Sequence, residues 1–199
     1  MKKIVFATHN QGKIIEMKEI LKGLPLEIIS AEEAGVTEEP VEDGKTFAEN
    51  ALIKARYVAS KTGEWSIADD SGLCIAALDN EPGVHTARWG GEAGQSVGLA
   101  QYALNRLGDK ENRQAEFFSA VALVSPQGEE HVFQGSIAGA ISDKLCGEAH
   151  PKLPYDQVFM PNGYKHTFAE MPREEKNKMS HRGQAFLLAK DWLEKNIVK

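Results

Sequence analysis

Asp69 and Asp70 stand side by side in the run Ala-Asp-Asp-Ser-Gly-Leu (68–73). On an extended chain, two successive acids face opposite ways and meet different environments. One could then bind a metal or take a proton from water while the other is held by hydrogen bonds; two acids at the end of a strand also serve as a plain turn signal. Glu42-Asp43 could bring a second carboxylate to the same metal, or merely favour the N-terminus of the helix that follows. Lys54 lies beside an apolar stripe, where a lysine either snorkels to solvent or reaches an anion in a cleft. Arg88 follows a Pro-Gly turn, and Trp89 could simply cover its stem. Ser180-His181-Arg182 puts two cationic side chains in the first turn of a helix, where the dipole repels them unless an anion is present; Lys176, one turn earlier, strengthens such a site. The loop Thr8-His9-Asn10-Gln11-Gly12-Lys13 lies between a strand and a helix, a phosphate-binding context. It lacks the Walker A spacing and reads equally as a turn made by its Asn. Carboxylates and cations without an arranged nucleophile suit metal-assisted attack of water on a phosphate, with Mg²⁺ as the fitting ion. Residue types and spacing choose neither the base, the phosphate nor the bond.

These residues need elements to place them. Residues 3–7 read as a buried strand, Ile14, Met17 and Leu21 as the inner face of a helix, and 26–30 as a second strand parallel to the first. Thr46-Phe-Ala-Glu49 is a capping box opening a helix to about residue 60. Its stripe is Phe47, Ala51, Ala55, Val58 and Ala59, with Asn50 and Lys54 on or beside it, an unexpected place for a polar pair. A strand over 65–69 is expected to end at Asp69-Asp70-Ser71-Gly72. A helix over 96–107 turns Val97, Ala100, Leu104 and Leu107 inward, and 115–125 and 130–138 form a hairpin about Pro126-Gln127-Gly128. Cys146–Pro161 reads as a constrained loop, and a last helix after Ser180 turns Ala185, Leu188, Ala189 and Trp192 inward.

The chain has 199 residues, a formal net charge of -6, 42% hydrophobic and 26% charged residues. This suits one α/β domain, or one core with two lobes, and argues against disorder or membrane spanning. The acidic balance argues against a broad nucleic-acid surface and leaves room for a local cationic pocket for a small anion. Cys74 and Cys146 lack metal-ligand spacing and fit a reducing, cytoplasmic compartment.

Six segments occur in order: Ala-Thr-His-Asn-Gln-Gly-Lys (7–13), Glu-Asp-Gly-Lys-Thr-Phe-Ala-Glu-Asn-Ala-Leu-Ile-Lys-Ala (42–55), Ala-Asp-Asp-Ser-Gly-Leu (68–73), Pro-Gly-Val-His-Thr-Ala-Arg (82–88), Tyr-Asp (155–156) and Ser-His-Arg-Gly-Gln-Ala (180–185). In this combination the chain resembles the inosine triphosphate pyrophosphatase family over essentially its whole length. The resemblance implies a single elongated α/β domain (1–199), two-lobed around a long mixed sheet with the active-site cleft between the lobes. It implies a homodimeric, Mg²⁺-dependent house-cleaning enzyme that converts ITP, dITP and XTP to monophosphate and pyrophosphate. It further implies that Thr8, His9, Asn10, Gln11, Gly12 and Lys13 hold the triphosphate. Glu42 and Asp70 would bind Mg²⁺, and Asp70 would activate water with Asp69 in support. Lys54, Ser71 and Arg88 would serve the phosphate end. Leu153, Pro154, Tyr155 and Asp156 would line the base pocket, and Lys176, His181 and Arg182 would read the 6-oxo purine. Cationic donors at that edge favour a keto acceptor over the amino group of adenine.

One stretch departs from the family, which usually carries Gly-Phe-Gly before the aromatic-Asp pair. Here Leu153 and Pro154 replace the Phe and second Gly, and Gln157 replaces the usual proline after Asp156. A non-aromatic face stacks less well on a base, and proline lacks an amide donor. The expectation is retained hydrolysis with a shifted base preference. The alternatives are a binding module without turnover and a pyrophosphatase for another altered nucleotide.

Overall fold

The computed structural model describes residues 2–8, 10–150 and 153–198. Six strands form one mixed sheet in the order β2-β1-β3-β4-β5-β6: β1 Lys2–Phe6, β2 Leu26–Ser30, β3 Trp65–Ile75, β4 Gln114–Val124, β5 Glu130–Ile141 and β6 Phe159–Pro161. The helices are α1 Gln11–Ile20, α2 Phe47–Thr62, α3 Gly91–Val97, α4 Leu99–Leu107, α5 Arg173–Met179 and α6 His181–Asn196. As expected, β1 and β2 are parallel, Lys2 opposite Leu26 and Phe6 opposite Ser30, and β1 also pairs parallel with β3. The chain divides into two compact units, Met1–Asp70 with Ser119–Gly135 and His181–Lys199, and Ser71–Phe118 with Ser136–Ser180.

In the first unit the central strands β1, β3 and β4 are largely buried on both faces, so they read as near-continuous apolar runs. Alternation sorts them. Ile4, Phe6, Ile67, Val121 and Leu123 join a cluster with Ile14, Met17 and Leu21 of α1 and Ala185, Phe186, Ala189 and Leu193 of α6. Val5, Ala68, Ala120, Ala122 and Val124 join the opposite cluster with Ala51, Ala55, Val58 and Ala59 of α2. Full burial of a side chain such as Phe6 or Phe186 stabilises by about 1.5–3 kcal/mol; these two rings meet edge to face at 5.9 Å. The capping box at α2 is present, with the Glu49 amide donating to Thr46 Oγ1 at 3.2 Å and the Thr46 amide to Glu49 Oε2 at 3.1 Å. Gly135 lets α6 approach β5: a Cβ there would collide with the carbonyl oxygen of His181.

The second unit has its own core of Leu73, Ile75, Leu99, Ala103, Leu107, Phe117, Phe159 and Phe168, among others. Phe159 lies 4.6 Å from Phe117 and 5.1 Å from Phe168, centroid to centroid.

Five expectations need correction. The third strand does not stop at Asp69-Asp70 but runs to Ile75, because Leu73 and Ile75 continue the buried alternation. The helix over 96–107 is two helices: Gly98, at φ 86°, breaks it, and Val97 is left exposed. Ala103 is the fully buried residue of that helix, while Leu104 is only partly buried. In α6, Leu188 faces out and Phe186 and Leu193 take the inward positions. Finally, Cys146–Pro161 is not all loop, since Phe159–Pro161 pairs antiparallel with β5, Ile141 opposite Phe159.

Candidate active site

The strand parity that sorts the core also sorts the two acids. Asp69 shares the face of Ile67, covered by α1 and α6; Asp70 shares the face of Ala68, covered by α2. Each therefore meets the cations those helices carry.

On the first face, Lys13 Nζ lies 2.9 Å from Asp69 Oδ2 and donates to the Asp69 carbonyl oxygen at 3.4 Å. Arg182 Nε donates to the same Oδ2 at 3.3 Å, and its Nη1 donates to Glu16 Oε2 at 2.5 Å. Asp69, Arg182 and Glu16 are all buried. Burial alone would raise the Asp69 pKa, but Lys13, Arg182 and Lys54 outweigh it and hold the carboxyl well below the usual carboxylate range. Burial lowers the Lys13 pKa, opposed by Asp69. The Arg182 guanidinium at the start of α6 thus meets carboxylates supplied from within the protein, those of Asp69 and Glu16.

On the second face, Lys54 Nζ donates to Glu42 Oε2 at 3.0 Å and to Asp70 Oδ1 at 3.1 Å. Asn50 Nδ2 donates to Asp70 Oδ2 at 3.4 Å. Desolvation pushes the Asp70 pKa up despite Lys54 and Lys13. Desolvation would lower Lys54, but Asp70, Asp69 and Glu42 keep it raised. The two neighbouring carboxyls are driven in opposite directions, a signature of groups with separate chemical tasks.

The first loop is capped locally. Asn10 Oδ1 accepts from the amides of Gly12 at 3.0 Å and Lys13 at 3.3 Å, and Thr8 Oγ1 accepts from the Asn10 amide at 3.2 Å. The Asn10 side chain therefore takes helix N-terminal amides that would otherwise face an anion. His9 lies outside the described residues, as does the side chain of Gln11.

The remaining candidates belong to the second unit, apart from His181, which is buried at the start of α6. Lys176 Nζ donates to Asp156 Oδ2 at 2.6 Å and stands 5.6 Å above the Phe168 ring. Tyr155 is buried in the core, its hydroxyl donating to the Thr86 carbonyl oxygen at 2.8 Å, and desolvation raises its pKa. Leu153 and Pro154 are half-buried, the latter opening a 3₁₀ turn, Pro154–Gln157. Gln157 Nε2 donates to the Gly147 carbonyl oxygen at 3.1 Å, closing the segment at its base. Arg88 is exposed, with Nη2 3.4 Å from His85 Nδ1, and Ser71 is half-buried in β3.

Residues 4–192 match the Ham1 family. The chain belongs to that family. A relative named dITP/XTP pyrophosphatase from Geobacter sulfurreducens is 43% identical over 195 residues, 97% of this chain and 97% of that protein. One of the same name from Zymomonas mobilis is 41% identical over 187 residues, 92% of this chain and 88% of the relative. Among solved structures, the Ham1 protein of Coxiella burnetii superposes with a TM-score of 0.88 at 36% identity, covering 98% of this chain and 100% of that one. The expected kinship and α/β mixed-sheet fold are borne out.

Sequence reasoning did not single out Glu16 or Gly44. Glu16 gave a signal, because it lies three residues after Lys13 and beside the inward Met17, where a lone acid is costly. Gly44 gave none, since its need for a glycine appears only once Asn50 is placed against it.

Proposed function

We propose that this chain hydrolyses the deaminated purine nucleotides dITP, XTP and ITP to the monophosphate and pyrophosphate. The observation that carries the reading is the split between neighbouring carboxyls: Asp69 locked in its ionised form, Asp70 half-buried with a raised pKa beside Lys54. A carboxylate with a raised pKa is a better proton acceptor near neutral pH. Asp70 takes the proton of the attacking water as the oxygen bonds to phosphorus. The anhydride bond between the α- and β-phosphoryl groups breaks, and pyrophosphate leaves. Lys13 and Lys54 stabilise charge on the phosphoryl oxygens. The names of the Geobacter and Zymomonas relatives support the substrate class.

Glu42 and Asp70 fit a divalent cation: both already converge on one positive charge, the Lys54 ammonium, and both offer only oxygen. Among the described residues no third acid, His or Cys joins them, which suits Mg²⁺, an ion that keeps several waters. Mg²⁺ held there would neutralise phosphate charge. In the second unit, Asp156 and Lys176 present one acceptor and one donor suited to a keto purine edge. Leu153 in place of an aromatic residue shifts the ranking of bases. The free, half-buried Cys74 and Cys146 support a cytoplasmic setting, and no described helix is long and apolar enough to cross a membrane. The resemblance supports a homodimer in which 1–199 acts as one functional domain.

Product chromatography after incubation with Mg²⁺ and each of ITP, dITP, XTP, ATP, GTP, CTP and UTP tests the reading. The expected result is monophosphate plus pyrophosphate, fastest from the deaminated purines. Release of orthophosphate, or no turnover of any triphosphate by folded protein, would sink it.

A further inference from the structure

We propose that Asn50 is a positioning residue for this reaction, holding the Asp70 carboxylate and the segment bearing Glu42 in one register; the inference rests on the function proposed above. Asn50 is 1% exposed, on a helix face otherwise lined by alanine and valine. A primary amide so deeply buried is costly unless both of its ends are bonded. Both are. Its Oδ1 accepts from the Gly44 amide at 2.9 Å, and its Nδ2 donates to Asp70 Oδ2 at 3.4 Å.

The first bond fixes the second. A backbone N–H can only donate, so the amide must turn its oxygen to Gly44, and its nitrogen is thereby aimed at Asp70. Asn50 and Lys54 are one helical turn apart and lie on the same face of α2. They address the two oxygens of one carboxylate, Nδ2 at Oδ2 and Lys54 Nζ at Oδ1. Lys54 also reaches Glu42, two residues before Gly44. One helix face therefore sets both carboxylates, Asp70 through its side-chain oxygens and Glu42 through the backbone at Gly44 as well.

Gly44 supplies the close approach this requires. A Cβ there would stand 2.5 Å from Asn50 Oδ1 and 2.9 Å from the Asn50 amide nitrogen. Any side chain would push the segment off Asn50, so residue 44 and residue 50 are two handles on the same arrangement.

The test uses Asn50→Leu, which keeps the approximate shape without hydrogen bonds, and Gly44→Ala, which leaves Asn50 itself intact. Ala59→Gly, farther along α2, is the control for a merely destabilised helix. Mn²⁺ is the probe, its Kd measured by calorimetry without nucleotide, alongside kcat and KM for XTP and the melting temperature. Positioning residues around a metal typically cost 10–100-fold in affinity or activity. Asn50→Leu and Gly44→Ala should each weaken Mn²⁺ binding about 10-fold and lower kcat roughly 10–100-fold, with KM within about 3-fold. Ala59→Gly should lower the melting temperature and leave Mn²⁺ affinity and kcat alone. The proposal is overturned if Asn50→Leu keeps wild-type Mn²⁺ affinity and kcat, if its losses are matched by Ala59→Gly, or if the wild type binds no Mn²⁺. Failure of the wild type to turn over XTP would instead remove the proposed function, while the Mn²⁺ comparison still decides the role of Asn50.

Discussion

The two faces of β3 at residues 69 and 70 make a controlled comparison, because the chemistry is the same and only the surroundings differ. On one face Lys13 and Arg182 meet Asp69 and Glu16, two cations against two carboxylates. On the other, among the described residues, Lys54 is the cation in ion-pair contact with Glu42 and Asp70, one against two carboxylates. The first set is balanced and buried, the second one positive charge short and partly open. A balanced set gives rigidity; a deficient set attracts a cation and leaves a base. The difference teaches that one strand can carry a structural acid and a chemical acid in adjacent residues, provided that different helices cover its two faces.

Asp70→Asn should give the largest effect. Loss of a general base costs roughly 10²–10⁴-fold in rate, so kcat for XTP should fall by that order while the melting temperature holds or rises, since ionised Asp70 is disfavoured by its burial. Urea unfolding and product assays on the same preparation check both halves. Asp69→Asn should do the reverse in kind. Breaking a buried ion pair costs about 3–5 kcal/mol, which urea titration would read as a lower midpoint. Unaltered stability would mean that the Asp69 set is not the structural half of the pair.

The same contrast has a pH form. The folded-state pKa of Asp69 is depressed, so its stabilisation is fully present above the unfolded carboxylate value of about 3.9 and is lost as pH falls through the lower folded value. The stability gap between wild type and Asp69→Asn should therefore be widest near neutrality and shrink in acid. Metal-free Asp70, with its raised pKa, must lose its proton to bind a cation, so Mn²⁺ affinity should weaken as pH falls. That weakening should set in before the Asp69 stabilisation is lost, and coincident profiles would collapse the distinction.

A smaller effect is expected at Lys54. Removing one unit charge about 4 Å from a divalent cation in a water-like medium is worth about 2 kcal/mol. Lys54→Met should thus bind Mn²⁺ roughly 30-fold tighter than wild type without nucleotide, although it turns over less; weaker binding would show that Lys54 does not stand in for the metal. Smallest, Thr46→Ala removes the cap of α2 and should cost about 1 kcal/mol without a matching loss of kcat.

Much of this contrast was legible beforehand. Parity alone predicted that Asp69 and Asp70 diverge, and the capping box placed α2 with Asn50 and Lys54 on one stripe. The expected turn at 69–72 failed because a local acid-rich signal was outweighed by Leu73 and Ile75, whose burial in the second core keeps the strand extended. The charged start of α6 pointed to a bound anion, and what Arg182 meets in the protein itself is a pair of carboxylates. That the pair is Glu16 together with Asp69 depends on which helices share a face, and nothing local encodes that. The β6 strand was hidden by prolines, since an edge strand of three residues can end on Pro161 without losing a ladder donor it needs.

The partners of Arg182 also set an order of events during synthesis. Asp69 precedes Arg182 by 113 residues, so a ribosome adding 5–20 residues per second takes roughly 6–23 s to deliver the guanidinium after the carboxylate. The second unit is complete at Ser180, whereas the first needs His181–Lys199. The unit of Ser71–Phe118 and Ser136–Ser180 can therefore close before the other, which waits for α6. Chains truncated after Ser180 and released from the ribosome should resist protease within Ser71–Phe118 while Lys2–Ser30 is still cleaved, and the opposite pattern would refute this order of assembly.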